Sequence, residues 1–429
     1  MKNIWMPKSV KFINNPINFF RMKRCDAVIV GAGAAGLGVA AHLRNSGLNI
    51  IILEKKKSLD KQATNLKATF GSAVKEFKLE SAVLRKYKKT TLYGPNSKAH
   101  VDLSSEPAYL VDYIKILKLL KRRSGLKINF NVEVIGAEKT NDGIILKDTK
   151  DNKYFAKLVV DASGRSSSIA QMMGIERANN YCKFYGFEME KCNIDPSEGV
   201  FYVDRRFTKA GGWVYPISKT RCQVAIGEFL PLEQSTGPDL RRNLLRFIKE
   251  YKHYNLRKAK IVKCTTFSVQ YPISPVIPMV KDRLIVIGDA AGHATPIMAE
   301  GIRPILKMSV AAAARIKECF KCKNFSQSFL ADYEDRWWDM FGKNYYWGVI
   351  LRHVSINYFD NKQWDIVFKK LDSLDIKTKY NLLKSNFSFS MLRNLITPTQ
   401  FLRVVAIFMK EKSKRAYIIS RRRMVSDFV

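Results

Sequence analysis

The stretch from Cys25 to Glu54, CDAVIVGAGAAGLGVAAHLRNSGLNIIILE, restricts the fold more than any other part of the chain. Ala27 to Val30 is an apolar run of strand length, and Gly31-Ala-Gly33-Ala-Ala-Gly36 follows it. A helical pattern through Leu37, Val39, Ala40 and Leu43 stops at Gly47, and a second run, Asn49 to Leu53, ends on Glu54. Gly31 permits a tight turn off the first strand. Gly33 lets the backbone approach a pyrophosphate, and Gly36 lets the helix pack close to the sheet. The helix N-terminus offers free N–H groups and the positive end of its dipole to the phosphates. Glu54, 23 residues after Gly31, is spaced to accept hydrogen bonds from a ribose. Such glycine loops are common as plain structural turns, but the strand–turn–helix–strand context predicts a dinucleotide site.

With 429 residues the chain is long enough for a substantial core and two or three domains. A hydrophobic content of 46% with 26% charged residues is that of a globular protein, which excludes disordered and fibrous classes. The charge balance stands out: 74 Lys and Arg against 38 Asp and Glu leave a net +36. That excess favours an anionic membrane surface or nucleic acid, although solvated basic faces would account for it equally. Seven scattered cysteines, an odd number, point to a reducing compartment. Cys319-x-x-Cys322 has no second pair and no His at ligand spacing, so no metal site is predicted. No run of 18 apolar residues offers a spanning helix. Residues 1–24 lack the apolar segment of a signal peptide and read as a basic, aromatic arm or an unstructured leader.

Further along, Gly94-Pro-Asn reads as a hairpin turn, with a helix over Leu110 to Lys121 ending at Gly125. Ile128 to Ile135 alternates like a strand, and Asp142-Gly143 is a hairpin signal. Lys157 to Val160 runs into Asp161 and a small-residue turn, the kind of strand end where nucleotides sit in open sheets. Residues 180–275 change character, with short alternating runs rich in Tyr, Phe and Trp, interrupted by a partly helical Pro238 to His253. They predict an inserted, mostly antiparallel sheet lining an apolar pocket. Arg283 to Ile287 again delivers an acid, Asp289, to a glycine turn, and a helix over Ile305 to Phe320 follows with Pro304 in its first turn. Helices with aromatic faces fill the rest, and Lys410 to Arg423 carries seven basic residues and one acid behind apolar Phe401 to Met409. That tail suits a membrane-surface helix or a plain C-terminal helix.

The three motif segments, at Gly31 with Glu54, at Asp161 and at Gly288-Asp289, together resemble flavoproteins of the glutathione-reductase-type FAD fold. Within these the chain is most similar to the geranylgeranyl reductase family, whose members saturate isoprenoid chains. The similarity covers about residues 25 to 350, and GDAAGHATPIMAEGI, Gly288 to Ile302, is its most specific part. Gly211-Gly-Trp213-Val-Tyr215-Pro216 resembles that family's aromatic-Pro substrate motif, and Ser105 to Asp112 also fits. The resemblance implies an α/β fold: a Rossmann-like, three-layer ββα FAD-binding domain, an inserted antiparallel substrate sheet and a C-terminal helical region. The corresponding boundaries are 1–24 for a basic extension, 25–179 with 276–322 for FAD binding, 180–275 for substrate, and 323–429 for the helical region. It implies FAD as cofactor, with Ala35 at the phosphates beside Gly31, Gly33 and Gly36, Glu54 at the adenosine ribose and Val134 beside the adenine. Asp289 would hold the ribityl chain, and the backbone of Gly301 and Ile302 would lie against the flavin ring. Trp213 and Tyr215 would wall an isoprenoid channel, or else be ordinary core aromatics.

The chain departs from that family in two places. Residues 55–75 hold no cysteine and only one glycine, Gly71, where a Cys-Gly pair is usual. Tyr113 stands where an arginine usually follows the Val-Asp pair, and Leu117 where an acid is usual. The leading expectation is an FAD-dependent reductase of isoprenoid C=C bonds in membrane lipid biosynthesis, cytoplasmic and peripherally associated with an anionic membrane. Its electrons would come from a donor such as NAD(P)H or ferredoxin, and the resemblance favours the membrane over nucleic acid as partner. No residue is assigned as proton donor; Tyr215, His293 and water are the candidates. The alternatives are an FAD-dependent monooxygenase or hydroxylase of an aromatic or lipid compound, and a non-enzymatic membrane- or nucleic-acid-binding protein on a flavoprotein scaffold.

Overall fold

The computed structural model describes residues 22–60, 66–178, 180–231, 239–251, 254–407 and 409. Most of the basic leader and the basic tail from Lys410 lie outside these residues. The α/β architecture expected from the sequence is present: a largely parallel sheet, a second, mostly antiparallel sheet, and a C-terminal array of helices.

The central strand of the first sheet is Lys23–Val30, parallel to Ile50–Glu54 on one side and to Lys153–Asp161 on the other. Ile128–Phe130 and Leu284–Val286 extend the sheet at its two sides, again in parallel. Val28, Ile29, Ile52, Val159 and Val160 are fully buried. Sheets covered on both faces call for such unbroken apolar runs, which is why these strands read as hydrophobic stretches without alternation. At the C-terminal end of the central strand the chain turns through Gly31 at φ 107°, where a β-carbon would sit 2.2 Å from the Ala162 carbonyl oxygen. Helix Ala34–His42 then packs against Tyr113–Ser124 and Ile302–Cys322.

Three local expectations need correction. Residues 110–112 belong to strand Ala108–Asp112, and the helix begins only at Tyr113. Asp112 caps it by accepting from Lys115 N at 3.1 Å, a contact that contributes about 1 kcal/mol, and Gly125 closes it in the left-handed conformation at φ 68°. The single strand read over Ile128 to Ile135 is two, Ile128–Phe130 and Val134–Lys139, because Asn131 turns the chain at φ 55°. The helix after Pro304 starts earlier, at Ile302, and runs to Cys322, which still leaves the proline in the first turn.

The second sheet runs in the order Lys260–Pro272, Asn180–Glu190, Arg221–Pro231, Gly212–Pro216, Glu198–Tyr202, Lys89–Tyr93 and Lys98–Asp102. All its pairings are antiparallel except that of Glu198–Tyr202 with Lys89–Tyr93. Its alternation is used in full. Val200, Val214, Val224 and Ile226 pack under helix Leu240–Glu250 with Leu244 and Phe247, while Trp213 and Tyr215 point to the other face. A small third sheet, Leu66–Phe70, Ala108–Asp112 and Val83–Tyr87, flanks the hairpin Lys89–Asp102 in sequence and shares the central cavity. The C-terminal helices pack on the hairpin Lys89–Asp102, where Asp365 accepts from Ser97 Oγ at 2.6 Å and Asp372 from His100 N at 2.8 Å.

Candidate active site

A cavity of about 1350 Å³, counted out to its mouth, opens where the three sheets meet. One part of its lining is formed by Ala34, at the start of the first helix, by Asp289, and by Gly301 and Ile302 at the start of helix Ile302–Cys322. Ala34 and Asp289 arrive by the same device, an apolar strand of the parallel sheet that ends in a small-residue turn. Helix N-termini carry N–H groups without intrahelical partners and a partial positive charge, so this part is suited to negative groups. The Asp289 carboxylate accepts no hydrogen bond from any described residue; burial raises its pKa above the usual carboxylate range, and Lys67 opposes that rise.

Another wall is aromatic. Tyr215 stacks on Tyr87 at 6.1 Å and on Trp213 at 5.8 Å, and meets the edge of Phe201 at 5.7 Å. Phe184 stands edge-on to Trp213 at 5.0 Å. Such pairs add about 0.5–1.5 kcal/mol each beyond area burial, enough to hold the wall in one arrangement. Tyr87 donates its hydroxyl to the Pro216 carbonyl at 2.8 Å, and the Trp213 indole donates to Gln223 Oε1 at 3.2 Å. The wall thus shows ring surface to the cavity while much of its polar fringe is occupied. Desolvation pushes the Tyr215 phenol above its ordinary range.

Two further charged side chains line the cavity. Glu300 Oε1 accepts from Thr69 Oγ1 at 3.0 Å and from Arg303 N at 2.8 Å, and Oε2 lies 3.4 Å from Arg303 Nε. Lys67, on the strand Leu66–Phe70, carries its ammonium 4.7 Å from the Tyr271 ring and 5.5 Å from the Tyr113 ring. Lys67 is half-buried, and desolvation by the protein around it lowers its pKa, against the opposing pull of Tyr113 and Asp289. Withdrawing an ammonium from water costs several kcal/mol, and ring contacts return about 0.5–2 kcal/mol each. The two rings alone do not offset the burial.

Of the residues singled out in the sequence, Asp289, Gly301, Ile302, Trp213 and Tyr215 come together on this cavity. Gly31, Gly33, Ala35, Gly36, Glu54 and Val134 are off its lining, along the turn behind Ala34. Glu54 Oε2 accepts from Ala32 N and Oε1 from Lys56 N, both at 2.8 Å. Each carboxylate oxygen has a second lone pair to offer, so the acid braces the glycine loop and keeps capacity for a ligand. Val132 N donates to Glu54 O at 3.0 Å, which brings Val134, two residues on, towards the same strand end. Asp161, by contrast, is spent on structure, accepting from Ser163 N at 3.0 Å and Ala170 N at 2.7 Å.

The two departures at the third helix also find places. Tyr113 accepts a hydrogen bond from Ala34 N at 3.2 Å, and Leu117 is fully buried among the core side chains of that helix. His293 does not line the cavity. It is fully buried, its Nδ1 accepts from Gly288 N at 3.2 Å, its carbonyl accepts from the Tyr345 hydroxyl, and burial lowers its pKa to about 3. A neutral ring held there is a structural support of the Gly288 turn. Lys67, Thr69, Tyr87 and Glu300 were not singled out in the sequence. The alternation Leu66-Lys-Ala-Thr-Phe70 is the only local sign that this segment is a strand lining a pocket. Among the described residues no cluster of three metal-ligating side chains occurs, and no helix is long and apolar enough to cross a membrane.

Comparison with known proteins bears on this geometry. Residues 24–304 match the family model described as FAD binding domain. The digeranylgeranylglycerophospholipid reductase of Methanococcus vannielii is 26% identical over 330 residues, covering 73% of this chain and 82% of that relative. Digeranylgeranylglycerophospholipid reductase 2 of Methanothermobacter thermautotrophicus is 24% identical, covering 86% of this chain and 98% of the relative. A solved geranylgeranyl bacteriochlorophyll reductase-like protein from Thermoplasma acidophilum superposes with a TM-score of 0.74 at 19% identity. It covers 90% of this chain and 96% of its own, a likeness of fold.

Proposed function

The chain belongs to the FAD binding domain family and is a flavin-dependent oxidoreductase, and from that premise we propose that it saturates C=C bonds in the isoprenoid chains of a membrane lipid. The observation that carries this reading is that one cavity joins the two parts such a reaction needs. Asp289, Gly301 and Ile302 line it together with the wall of Tyr87, Phe184, Phe201, Trp213 and Tyr215. The two archaeal relatives, both digeranylgeranylglycerophospholipid reductases, support the same substrate class.

The residues present fit a flavin nucleotide. A β-carbon at Gly33 would meet nothing nearer than the Tyr113 hydroxyl at 3.7 Å, so the loop leaves room over the phosphate position. The Asp289 carboxylate, without a donor among the described residues, is free to accept from ribityl hydroxyls. When bound, the reduced flavin supplies a hydride. The chain's own residues do the rest: Glu54 takes the ribose, the first-turn N–H groups at Gly301 and Ile302 face developing negative charge, and the ring surfaces of Trp213 and Tyr215 hold an apolar chain and exclude water. Of the three candidate proton sources, Tyr215 lines the cavity and neutral His293 does not.

An electron donor such as NAD(P)H or ferredoxin and an anionic membrane surface complete the proposal. Product analysis tests it. Protein incubated without oxygen, with a chemical reductant and a geranylgeranylated glycerophospholipid, is expected to yield lipid heavier by two hydrogens per bond reduced. Lipid that stays unchanged without oxygen and gains an oxygen atom in air would favour the monooxygenase alternative instead.

A further inference from the structure

Two carboxylates and one ammonium are the charged groups among the described residues lining the cavity. Glu300 is compensated by Arg303 and by two hydrogen bonds. The Lys67 ammonium is different. It has ring contacts with Tyr113 and Tyr271, but among the described residues no carboxylate oxygen within 4.0 Å and no hydrogen bond. Its backbone is fixed, because Lys67 is paired with Val111 in the small sheet. Tyr113, one of the two rings that flank it, is tied by its hydroxyl to Ala34 N. A rigidly mounted cation in a desolvated cavity, attracted to but not bonded with Asp289, is a site prepared for an incoming negative charge.

We propose that Lys67 is the countercharge of the two-electron-reduced flavin, holding its anionic form more tightly than the oxidised form and so raising the cofactor's reduction potential. The proposal rests on the reading of this cavity as the flavin site. Two-electron reduction with uptake of one proton leaves one negative charge on the ring system, whereas the phosphate charges are the same before and after. Phosphates are provided for by the glycine loop and the helix start behind Ala34, which lie off the cavity apart from Ala34 itself. Lys67 shares the cavity with Gly301, Ile302 and the aromatic wall, where the ring belongs once Asp289 takes the ribityl chain. Among the described residues the other positive potentials there are the starts of helices Ala34–His42 and Ile302–Cys322, the first of which serves the phosphates.

The test is the midpoint potential of the full chain loaded with FAD, measured for the wild type, Lys67→Met and Lys67→Arg by dye-equilibrated reduction, together with the affinity for oxidised FAD. Lys67→Met is expected to shift the reduced-over-oxidised preference about tenfold, a fall of about 30 mV for a two-electron couple, with oxidised FAD still bound as in the wild type. Lys67→Arg is expected to keep most of the wild-type potential. An unchanged potential in Lys67→Met would overturn the proposal, as would equal weakening of both redox states, which assigns the ammonium to the phosphates. Should Lys67→Met fail to take up flavin, the wild type decides: its potential is expected above that of free FAD, and a value at or below it overturns the proposal. Wild-type protein that cannot be loaded with FAD would remove the reading of the cavity itself.

Discussion

Around the Gly288 turn, burial decides which groups carry charge. His293 sits fully buried with Nδ1 accepting from Gly288 N, and its pKa falls from 6.5 to about 3. Between those two values the unfolded chain binds a proton at this position and the folded chain does not, so stability rises with pH across the window and falls on acidification. The slope from this one group is up to about 1.4 kcal/mol per pH unit. Chemical denaturation of the wild type and of His293→Asn between pH 6 and about 4 should therefore give converging stabilities as the pH drops, the variant losing less. Parallel profiles would mean that His293 is protonated in the fold. The same residue shows what a sequence withholds: beside Gly288-Asp289 it looked like a possible proton source, and only burial removes it. Asp289 and Trp213, by contrast, were legible. An acid after a buried strand and an aromatic pair spaced by two positions on a strand point to a pocket, although the same acid pattern at Asp161 serves structure.

At the scale of elements, three of the parallel strands were legible because an apolar run in each leads to Glu54, Asp161 or Gly288-Asp289. Boundaries were less so. The apolar spacing Leu110 to Leu120 spans a strand and a helix, since Leu110 and Val111 are buried on opposite faces of the small sheet and the helix starts only at Tyr113. Periodicity does not separate the two where both are buried. The parallel pairing of Lys89–Tyr93 with Glu198–Tyr202 was illegible for another reason: it joins segments more than 100 residues apart in the chain, and no local signal encodes a partner at that distance. Lys67 went unseen on the same account. Its strand matters only because distant elements close the cavity around it.

At the scale of the molecule, the net +36 remains the feature that the catalytic reading does not absorb. Much of the basic leader and tail lies outside the described residues, while the C-terminal helices expose apolar side chains such as Leu402 and Ile376, 67% and 55% accessible. A basic surface with apolar contacts suits anionic lipid, and the attraction weakens as salt shortens the Debye length to about 10 Å at 0.1 M. The full chain is expected to sediment with anionic vesicles at low salt and to be released by added salt. Equal indifference to anionic and neutral vesicles would remove the membrane from the account.

The most direct measurement is the visible spectrum of the FAD-loaded protein, bleached with dithionite under anaerobic conditions and then mixed with geranylgeranylated glycerophospholipid. The account predicts that the oxidised flavin bands return on adding the lipid alone, because its double bonds take the electrons within the shared cavity. A flavin that stays bleached with the lipid and regains its colour only when oxygen is admitted would contradict the reductase assignment.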